Sequence, residues 1–398
     1  MKIALLTREY PPDSAWGGIA KVYHALSCAL VQRGHEVHVI CQASNEVGTL
    51  VDHGVFVHRV GTNPKRYSAS ARINYSFYAW LKLREIVKQY GIEVVEATFW
   101  GAEAFLYSFR PQVPLVVSTA TSASDILATK TYSGRKELLT LKLLNIMEKF
   151  SARRADRIIA NSRTVYDTLV QKLRISPDKI DIVHHGIDTA KFRYIESDIR
   201  DRLGIPPDIP LVLYVGRLEA RKGVDVLCRG VPEIVRIVPD TRFVLVGQDT
   251  NSSLYGGSTK AYICKLAKSH GFSNALLFID YLADDELIAL YSACDLVVSP
   301  SLHESFGLVV LEAMACSKHV IATSTGVVPE LGLNGASGMM ISPGSVAELT
   351  EAVVRLLSLT GNERRLAAES NRKLVEAEFS IPVWVDKVLR VYEKAIRH

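Results

Sequence analysis

No stretch of this 398-residue chain approaches the ~18 consecutive apolar residues that a membrane-spanning helix requires. The opening Met-Lys-Ile-Ala-Leu-Leu-Thr-Arg stops being apolar at Arg8, so a short strand is expected there and not a secretory leader. Cysteines occur only at 28, 41, 228, 264, 294 and 316, with no close pair and no metal-ligand spacing among them. Their apolar or small neighbours predict buried free thiols in a reducing cytoplasm. No Asp-x-Asp triplet occurs and no His-x3-His pair, so nothing predicts a bound divalent metal. No Gly-x-Gly-x-x-Gly follows a strand-like run, which disfavours a dinucleotide-dependent oxidoreductase. Low-complexity tracts, heptads and short repeats are absent.

What remains is the composition of an ordinary globular protein, 48% hydrophobic and 22% charged, on a chain long enough for two domains. Charge is unevenly placed. Residues 1–190 carry 24 Lys+Arg against 17 Asp+Glu, and residues 191–398 carry 23 against 25. A diffusely basic first half suits an anionic acceptor or a phospholipid surface; nucleic-acid motifs are lacking, and no nucleic-acid partner is expected.

Strand-like and helix-like segments alternate along both halves. Apolar, β-branched runs predict strands over 2–7, 35–41, 55–60, 92–95, 115–118, 157–160 and 180–183, with helices over 18–33 and 70–90. After the loop at 184–192 and a Pro-rich stretch at 204–210, the alternation restarts with strands over 211–215, 243–246, 276–279, 296–299 and 320–323. Apolar strands alternating with helices imply parallel sheets covered on both faces, and such sheets bind ligands at the carboxyl ends of their strands. The expectation is an α/β protein of two doubly wound, Rossmann-like domains facing each other across a cleft. Their boundaries are set at 1–190 and 191–375, with a terminal amphipathic helix in 376–398.

Three segments carry chemistry. In Ser301-Leu-His-Glu-Ser-Phe-Gly-Leu-Val-Val-Leu-Glu-Ala-Met-Ala315, Glu304 falls in a strand-to-helix loop and Glu312 inside an apolar helix. A carboxylate among apolar neighbours is costly unless hydrogen-bonded, and the two hydroxyls of a sugar or ribose diol would serve. The helix start near Phe306–Leu308 offers backbone N–H groups and a positive dipole end, suited to phosphate. A structural ion pair for Glu312 is the competing reading. In Tyr214-Val-Gly-Arg-Leu-Glu-Ala-Arg-Lys-Gly-Val-Asp225, Arg217 ends a strand and Lys222 begins a helix, so both reach the same sheet edge. Two converging cations repel unless an anion such as a diphosphate lies between them; a solvated loop is the alternative. In Glu9-Tyr-Pro-Pro-Asp-Ser-Ala-Trp-Gly-Gly-Ile19, Gly17-Gly18 opens a helix, either for close backbone approach to a bound group or for a tight turn with positive φ.

Together, the Glu-x7-Glu segment and Gly-Arg-Leu-x4-Lys-Gly resemble the retaining glycosyltransferases of family 4, of GT-B architecture. The loop His185-Gly-Ile-Asp-x3-Phe192 also resembles that family's interdomain segment. The resemblance spans residues 1 to about 380. It implies that Arg217 and Lys222 bind the donor diphosphate and stabilise the departing nucleotide, that Glu304 contacts the donor sugar, and that Glu312 binds the ribose hydroxyls. Ser305, Phe306, Gly307 and Leu308 join the donor site through the helix start, and Gly17 and Gly18 through a loop lying against the donor phosphate and acceptor. Arg217, Lys222 and Glu304 are the catalytic candidates. It also implies a terminal helix that crosses back onto the first domain.

The expected function is therefore transfer of a sugar from a nucleoside diphosphate donor, UDP-linked with UDP-glucose as first guess, to a glycan or lipid-linked acceptor in polysaccharide or glycoconjugate synthesis. No cofactor and no metal are expected beyond the nucleotide-sugar substrate. A nucleotide-sugar epimerase of the same architecture and a non-catalytic nucleotide-sugar-binding scaffold are the alternatives. Three departures bear on the donor sugar. Ala120 stands in Val116-Val-Ser-Thr-Ala120 where the family often has His, a polar loop spans 247–262 in place of a short turn, and Ser317 and His319 replace Gly and Pro. The basic amphipathic segment 135–154 is expected to be a domain helix with a solvated face. Its alternative is peripheral docking on the inner face of the membrane by an otherwise cytoplasmic protein.

Overall fold

The computed structural model describes every residue except 13–16, 45, 63–68, 130–133, 252–255, 334, 336 and 398; of residues 62, 69–71, 128, 129 and 136 only the backbone is described. Part of the Gly17-Gly18 loop and of the polar loop at 247–262 thus lies outside the described residues. The chain forms two compact units, Met1–Gly186 with Ile381–His398, and Ile187–Ser380. Both ends of the second unit are tied together: the Ile187 amide donates to the Phe379 carbonyl at 2.7 Å. The breaks therefore fall at 186 and 380, not at 190 and 375.

The first unit is built on β1 (Lys2–Leu6), β2 (Glu36–Ala43), β3 (Gly48–Asp52), β4 (Val55–Thr62), β5 (Val94–Thr98), β6 (Leu115–Ser118), β7 (Arg157–Ala160) and β8 (Ile180–Ile182). Their order is β3-β4-β2-β1-β5-β6-β7-β8. All pairs are parallel except β3 with β4, a hairpin whose outer strand is mostly exposed. β3 was not expected, because an exposed edge strand has no core face to write an apolar pattern. The terminal helix Ile381–Arg397 belongs to this unit. It buries Trp384, Val385, Val388 and Val391, and Tyr392 donates its hydroxyl to the buried carboxylate Glu96, which also accepts from Tyr23 at 2.9 Å and Ser118 at 2.6 Å.

The second unit carries β9 (Leu211–Val215), β10 (Arg242–Val246), β11 (Leu276–Ile279), β12 (Leu296–Ser299), β13 (His319–Thr323) and β14 (Gly338–Ile341), all parallel, ordered β11-β10-β9-β12-β13-β14. Successive β9 residues serve opposite faces. Leu211 and Leu213 join the core beneath helix Leu308–Ala315, and Val212 and Tyr214 the core beneath helix Val224–Ile237. The chain leaves β9 toward β10 and β12 toward β13, in opposite directions, so the edge between β9 and β12 is the topological switch point of this sheet.

Two cysteine expectations change. Cys41, Cys228, Cys294 and Cys316 are buried free thiols, but Cys264 is exposed and Cys28 half-buried. Helix Thr259–Ser269 buries Ile263 and Ala267, which turns the neighbouring position 264 outward.

Candidate functional site

The loops after β9 and β12 are locked to each other at the switch point. Gly223 has φ 65°, and a Cβ there would stand 1.9 Å from the Pro300 carbonyl oxygen, so only glycine allows this approach. The Leu302 amide donates to the Arg221 carbonyl at 2.8 Å, and the Arg221 guanidinium donates to the His303 carbonyl at 3.1 Å and to Glu219 at 2.7 Å. These contacts bring Lys222 onto Glu304, with which it forms an ion pair.

Arg217 and Lys222 thus come to one sheet edge, but not as two bare cations. Lys222 pairs with Glu304, and Arg217 pairs with Glu219 at 3.3 Å while its side chain stays 56% exposed. Lys222 sits in a single turn of 3-10 helix, Ala220–Lys222, ahead of the long helix Val224–Ile237. Burial works to raise the Glu304 carboxyl; Lys222 and Arg221 outweigh it and hold Glu304 below the usual carboxylate range.

Helix Leu308–Ala315 begins after Gly307, whose φ of 105° only glycine adopts readily. Its start is fixed from the next loop: the Val327 amide donates to the Phe306 carbonyl at 2.8 Å, and Gly326 passes so close that a Cβ would meet that oxygen at 2.3 Å. Phe306 itself is a core side chain and Ser305 is buried. Glu312 lies in the second turn, half-buried, and accepts from the Tyr291 hydroxyl at 3.0 Å. Burial, then the nearby Glu312 charge, pushes the Tyr291 phenol far up, so it stays a neutral donor. No feature of the sequence flagged Tyr291 as this partner.

In the first unit, Gly17 is extended, with φ −164°, and Gly18 is the first helical residue. The positive-φ explanation of this pair is thereby overturned. Ala120 is half-buried in the loop after β6, beside Thr119, whose amide donates to the Ile159 carbonyl at 2.9 Å. His185, of the His184-His185 pair, is structural in setting: buried edge-on to Trp384, 3.3 Å from Asn161, and pushed down to about 4 by burial. A cavity of about 500 Å³ between β3–β4 and helix Ala69–Ile86 is lined by Arg59, Asn74, Tyr78 and Lys82, and by none of the candidate site residues. Helix Gly134–Arg154 exposes more than basic residues: Leu139, Leu143 and Ile146 share its outer face, 66%, 44% and 64% exposed.

Sequence reasoning missed two buried carboxyls near the carboxyl ends of β1 and β5. Glu103 accepts from the Arg8 amide at 2.8 Å, and Glu148 from the Gly101 and Ala123 amides at 3.1 and 3.0 Å. Burial raises each to about 8, and burial also lowers the neighbouring Arg72, stacked 4.5 Å over Trp100, to about 10. A lone Glu within Ile146-Met-Glu148 was the available signal. A carboxyl raised in the folded state stabilises fully below its unfolded value near 4.5, and that stability is lost as pH rises through 8. Buried His58 and His185, lowered to about 4, act oppositely below about pH 6.5. Between roughly pH 6.5 and 8 the carboxyls prevail, and each contributes a slope of at most about 1.4 kcal/mol per pH unit. The urea midpoint is expected to fall across that window, and Glu103→Gln to flatten the fall; a wild-type midpoint that rises with pH there would refute this assignment.

Comparison with known proteins places both units. A family model described as "Glycosyl transferases group 1" matches residues 196–374, and one described as "Glycosyltransferase Family 4" matches residues 16–191. The chain is 30% identical over 397 residues to D-inositol 3-phosphate glycosyltransferase of Rhodococcus jostii (strain RHA1), covering 96% of this chain and 86% of that one. Among solved structures it is similar to a sucrose-phosphate synthase from Thermosynechococcus elongatus, with TM-score 0.82, 21% identity and 98% of each chain covered. It is also similar to HepE of Anabaena in complex with UDP-glucose, with TM-score 0.72, 21% identity and 98% of each chain covered. The architecture is that of the GT-B glycosyltransferases.

Proposed function

Because the chain belongs to the glycosyltransferases of family 4, we propose that it transfers a sugar, with retention of anomeric configuration, from a UDP-linked donor to a hydroxyl of a glycan or lipid-linked acceptor in polysaccharide or glycoconjugate synthesis. UDP-glucose is the first donor to test; the Anabaena neighbour's complex with UDP-glucose supports that order. The observation that carries the reading is the convergence of Arg217, Lys222, Glu304, Glu312 and the start of helix Leu308–Ala315 on the β9/β12 switch point. In this reading, Ile187–Ser380 is the nucleotide-sugar unit and Met1–Gly186 with Ile381–His398 the acceptor unit.

The diphosphate draws Lys222 and Arg217 from their carboxylate partners, and the backbone at Gly307–Leu308 receives a phosphate oxygen at the helix start. Gly17 and Gly18 are assigned to the donor phosphate. Lys222, once shared with the phosphate, frees Glu304 to accept from hydroxyls of the donor sugar. The leaving phosphate deprotonates the acceptor hydroxyl on the face from which it departs. Positioning and charge stabilisation then supply the rate, with no metal and no cofactor at the diphosphate. The exposed Leu139, Leu143 and Ile146, flanked by Arg135, Lys142 and Arg153, suit an anionic lipid surface, where a lipid-linked acceptor would be met. Among the described residues no helix is long and apolar enough to cross a membrane.

The test is a panel of UDP-, GDP- and ADP-sugars with glycan and lipid-linked acceptors, in EDTA and with or without anionic vesicles, wild type beside Ala120→His. Transfer from a UDP-sugar in EDTA, with the α-linked donor giving an α-linked product, is expected, and vesicles should sediment the protein. If the wild type binds donor yet turns over none, and Ala120→His restores hydrolysis, the chain lacks an essential group and the transferase reading fails. Activity that needs added manganese or magnesium would overturn the metal-free mechanism.

A further inference from the structure

Away from the carboxyl edges of both sheets, the first unit gathers an unassigned set of donor atoms. His24 Nε2 lies 3.3 Å from Asp52 Oδ2, and His53 Nε2 lies 3.8 Å from Asp52 Oδ1. One ligand atom from each of His24, Asp52 and His53 falls within 4.8 Å of the other two. Cys28 Sγ stands 3.8 Å from His24 Nε2. His24 and Cys28 are one turn apart on helix Gly18–Gln32, so their side chains share a face, a mixed spacing that a search for paired cysteines passes over.

We propose that His24, Asp52 and His53, with Cys28 beside them, bind a divalent cation of the zinc type and staple the β3–β4 turn to helix Gly18–Gln32. Tetrahedral zinc, with bonds of about 2.0–2.3 Å, holds its donor atoms about 3.3–3.7 Å apart. The pairwise spacings of 3.3 and 3.8 Å match that range, and rotamer changes would have to draw together the set of three donors, which spans up to 4.8 Å. Imidazole, carboxylate and thiolate together select zinc-class metals; magnesium and calcium demand shells of oxygen.

His53 supplies an independent argument. It is 72% exposed, yet its ring turns back to Asp52 and stands edge-on to His24, with 6.0 Å between centroids. Its backbone φ of 48°, followed by 84° at Gly54, is the geometry that a two-residue hairpin turn between β3 and β4 requires, and it fixes where the ring can reach. A His24–Asp52 ion pair alone does not explain that orientation of the His53 ring. The turn is pressed onto the helix, since a Cβ on Gly54 would meet Val31 Cγ1 at 2.9 Å. It joins the end of β3 to the start of β4, and β4 runs parallel to β2, so the site lies at the amino edge of the sheet. Ligands of such sheets react at the carboxyl edge, which makes the cation a staple and not a reactant. Binding to the folded state alone would raise stability by mass action.

The experiment titrates untagged, metal-stripped full-length protein with zinc chloride by calorimetry, and with cobalt(II) by absorption spectroscopy. One zinc per chain, bound at micromolar or tighter and raising the unfolding midpoint, is expected. Asp52→Asn and the exposed substitution His53→Ala should each weaken zinc at least about tenfold while leaving the metal-free midpoint near wild type. Cys28→Ser should keep binding but abolish the near-ultraviolet thiolate-to-cobalt band. Absence of one-to-one binding, or wild-type affinity in both His53→Ala and Asp52→Asn, overturns the proposal; an unchanged cobalt spectrum in Cys28→Ser removes Cys28 from the site.

Discussion

Lys222→Ala is expected to bind UDP at least about tenfold more weakly than wild type while its affinity for uridine stays near unchanged. The Lys222 ammonium lies at the β9/β12 edge, held there by Gly223 packed on Pro300 and by Leu302 bonded to Arg221. A charge-assisted contact to a diphosphate contributes about 1.5–3 kcal/mol, and 1.4 kcal/mol is a factor of ten. The rival account makes the Lys222–Glu304 pair purely structural. On that account Lys222→Ala strands a buried carboxylate and lowers stability, and nucleoside and nucleotide affinities fall together or not at all. Adding Glu304→Gln separates the two accounts. It removes the stranded charge and restores stability in either case, but it cannot restore the diphosphate contact. Arg217→Ala provides a cleaner second arm, because a side chain 56% exposed and paired to Glu219 costs little folding energy to remove. Calorimetry giving wild-type UDP affinity in both variants would sink the diphosphate assignment.

The strands around this edge were legible because each is buried on both faces. β9 and β12 run over the ranges that their apolar residues announce, 211–215 and 296–299, and β11 does so over 276–279 although it is a half-buried edge strand. β3 was invisible for the converse reason, and β14, Gly-Met-Met-Ile, has too little β-branching to stand out. The candidate residues were legible as types at positions, but not as partners. Nothing local to Lys222 announces Glu304, 82 residues on, and nothing local to Glu312 announces Tyr291. The first pairing comes from two loops crossing at one switch point and the second from two neighbouring helices, Asp284–Ala293 and Leu308–Ala315, both set by the tertiary fold. Sequence therefore brought the two cations to one sheet edge without showing that Glu219 and Glu304 of the same unit pair with them. The Gly17-Gly18 pair shows the opposite limit. Its sequence admits a positive-φ turn, and only the backbone angle of −164° removes that reading.

Glu312→Gln is expected to reduce UDP affinity by about tenfold and to erase most of the difference between UDP and its 2′,3′-dideoxy analogue. A carboxylate offers two acceptor oxygens, each with more than one lone pair, whereas an amide offers one oxygen and two donors. Glu312 Oε2 already takes the Tyr291 hydroxyl at 3.0 Å, which fixes the carboxylate plane from within the core. The remaining acceptor capacity is what a ribose diol requires. In the Gln variant one of the two sugar hydroxyls, or Tyr291, must face an N–H donor, and an unmatched buried polar group costs about 1–3 kcal/mol. Tyr291→Phe tests the orienting role separately. It leaves both carboxylate oxygens in place but unanchored, so the preference for the diol should persist with a smaller overall loss of affinity. Should wild type bind UDP and dideoxy-UDP equally well, Glu312 is not the ribose ligand, and its bond to Tyr291 is then a core contact between helices Asp284–Ala293 and Leu308–Ala315.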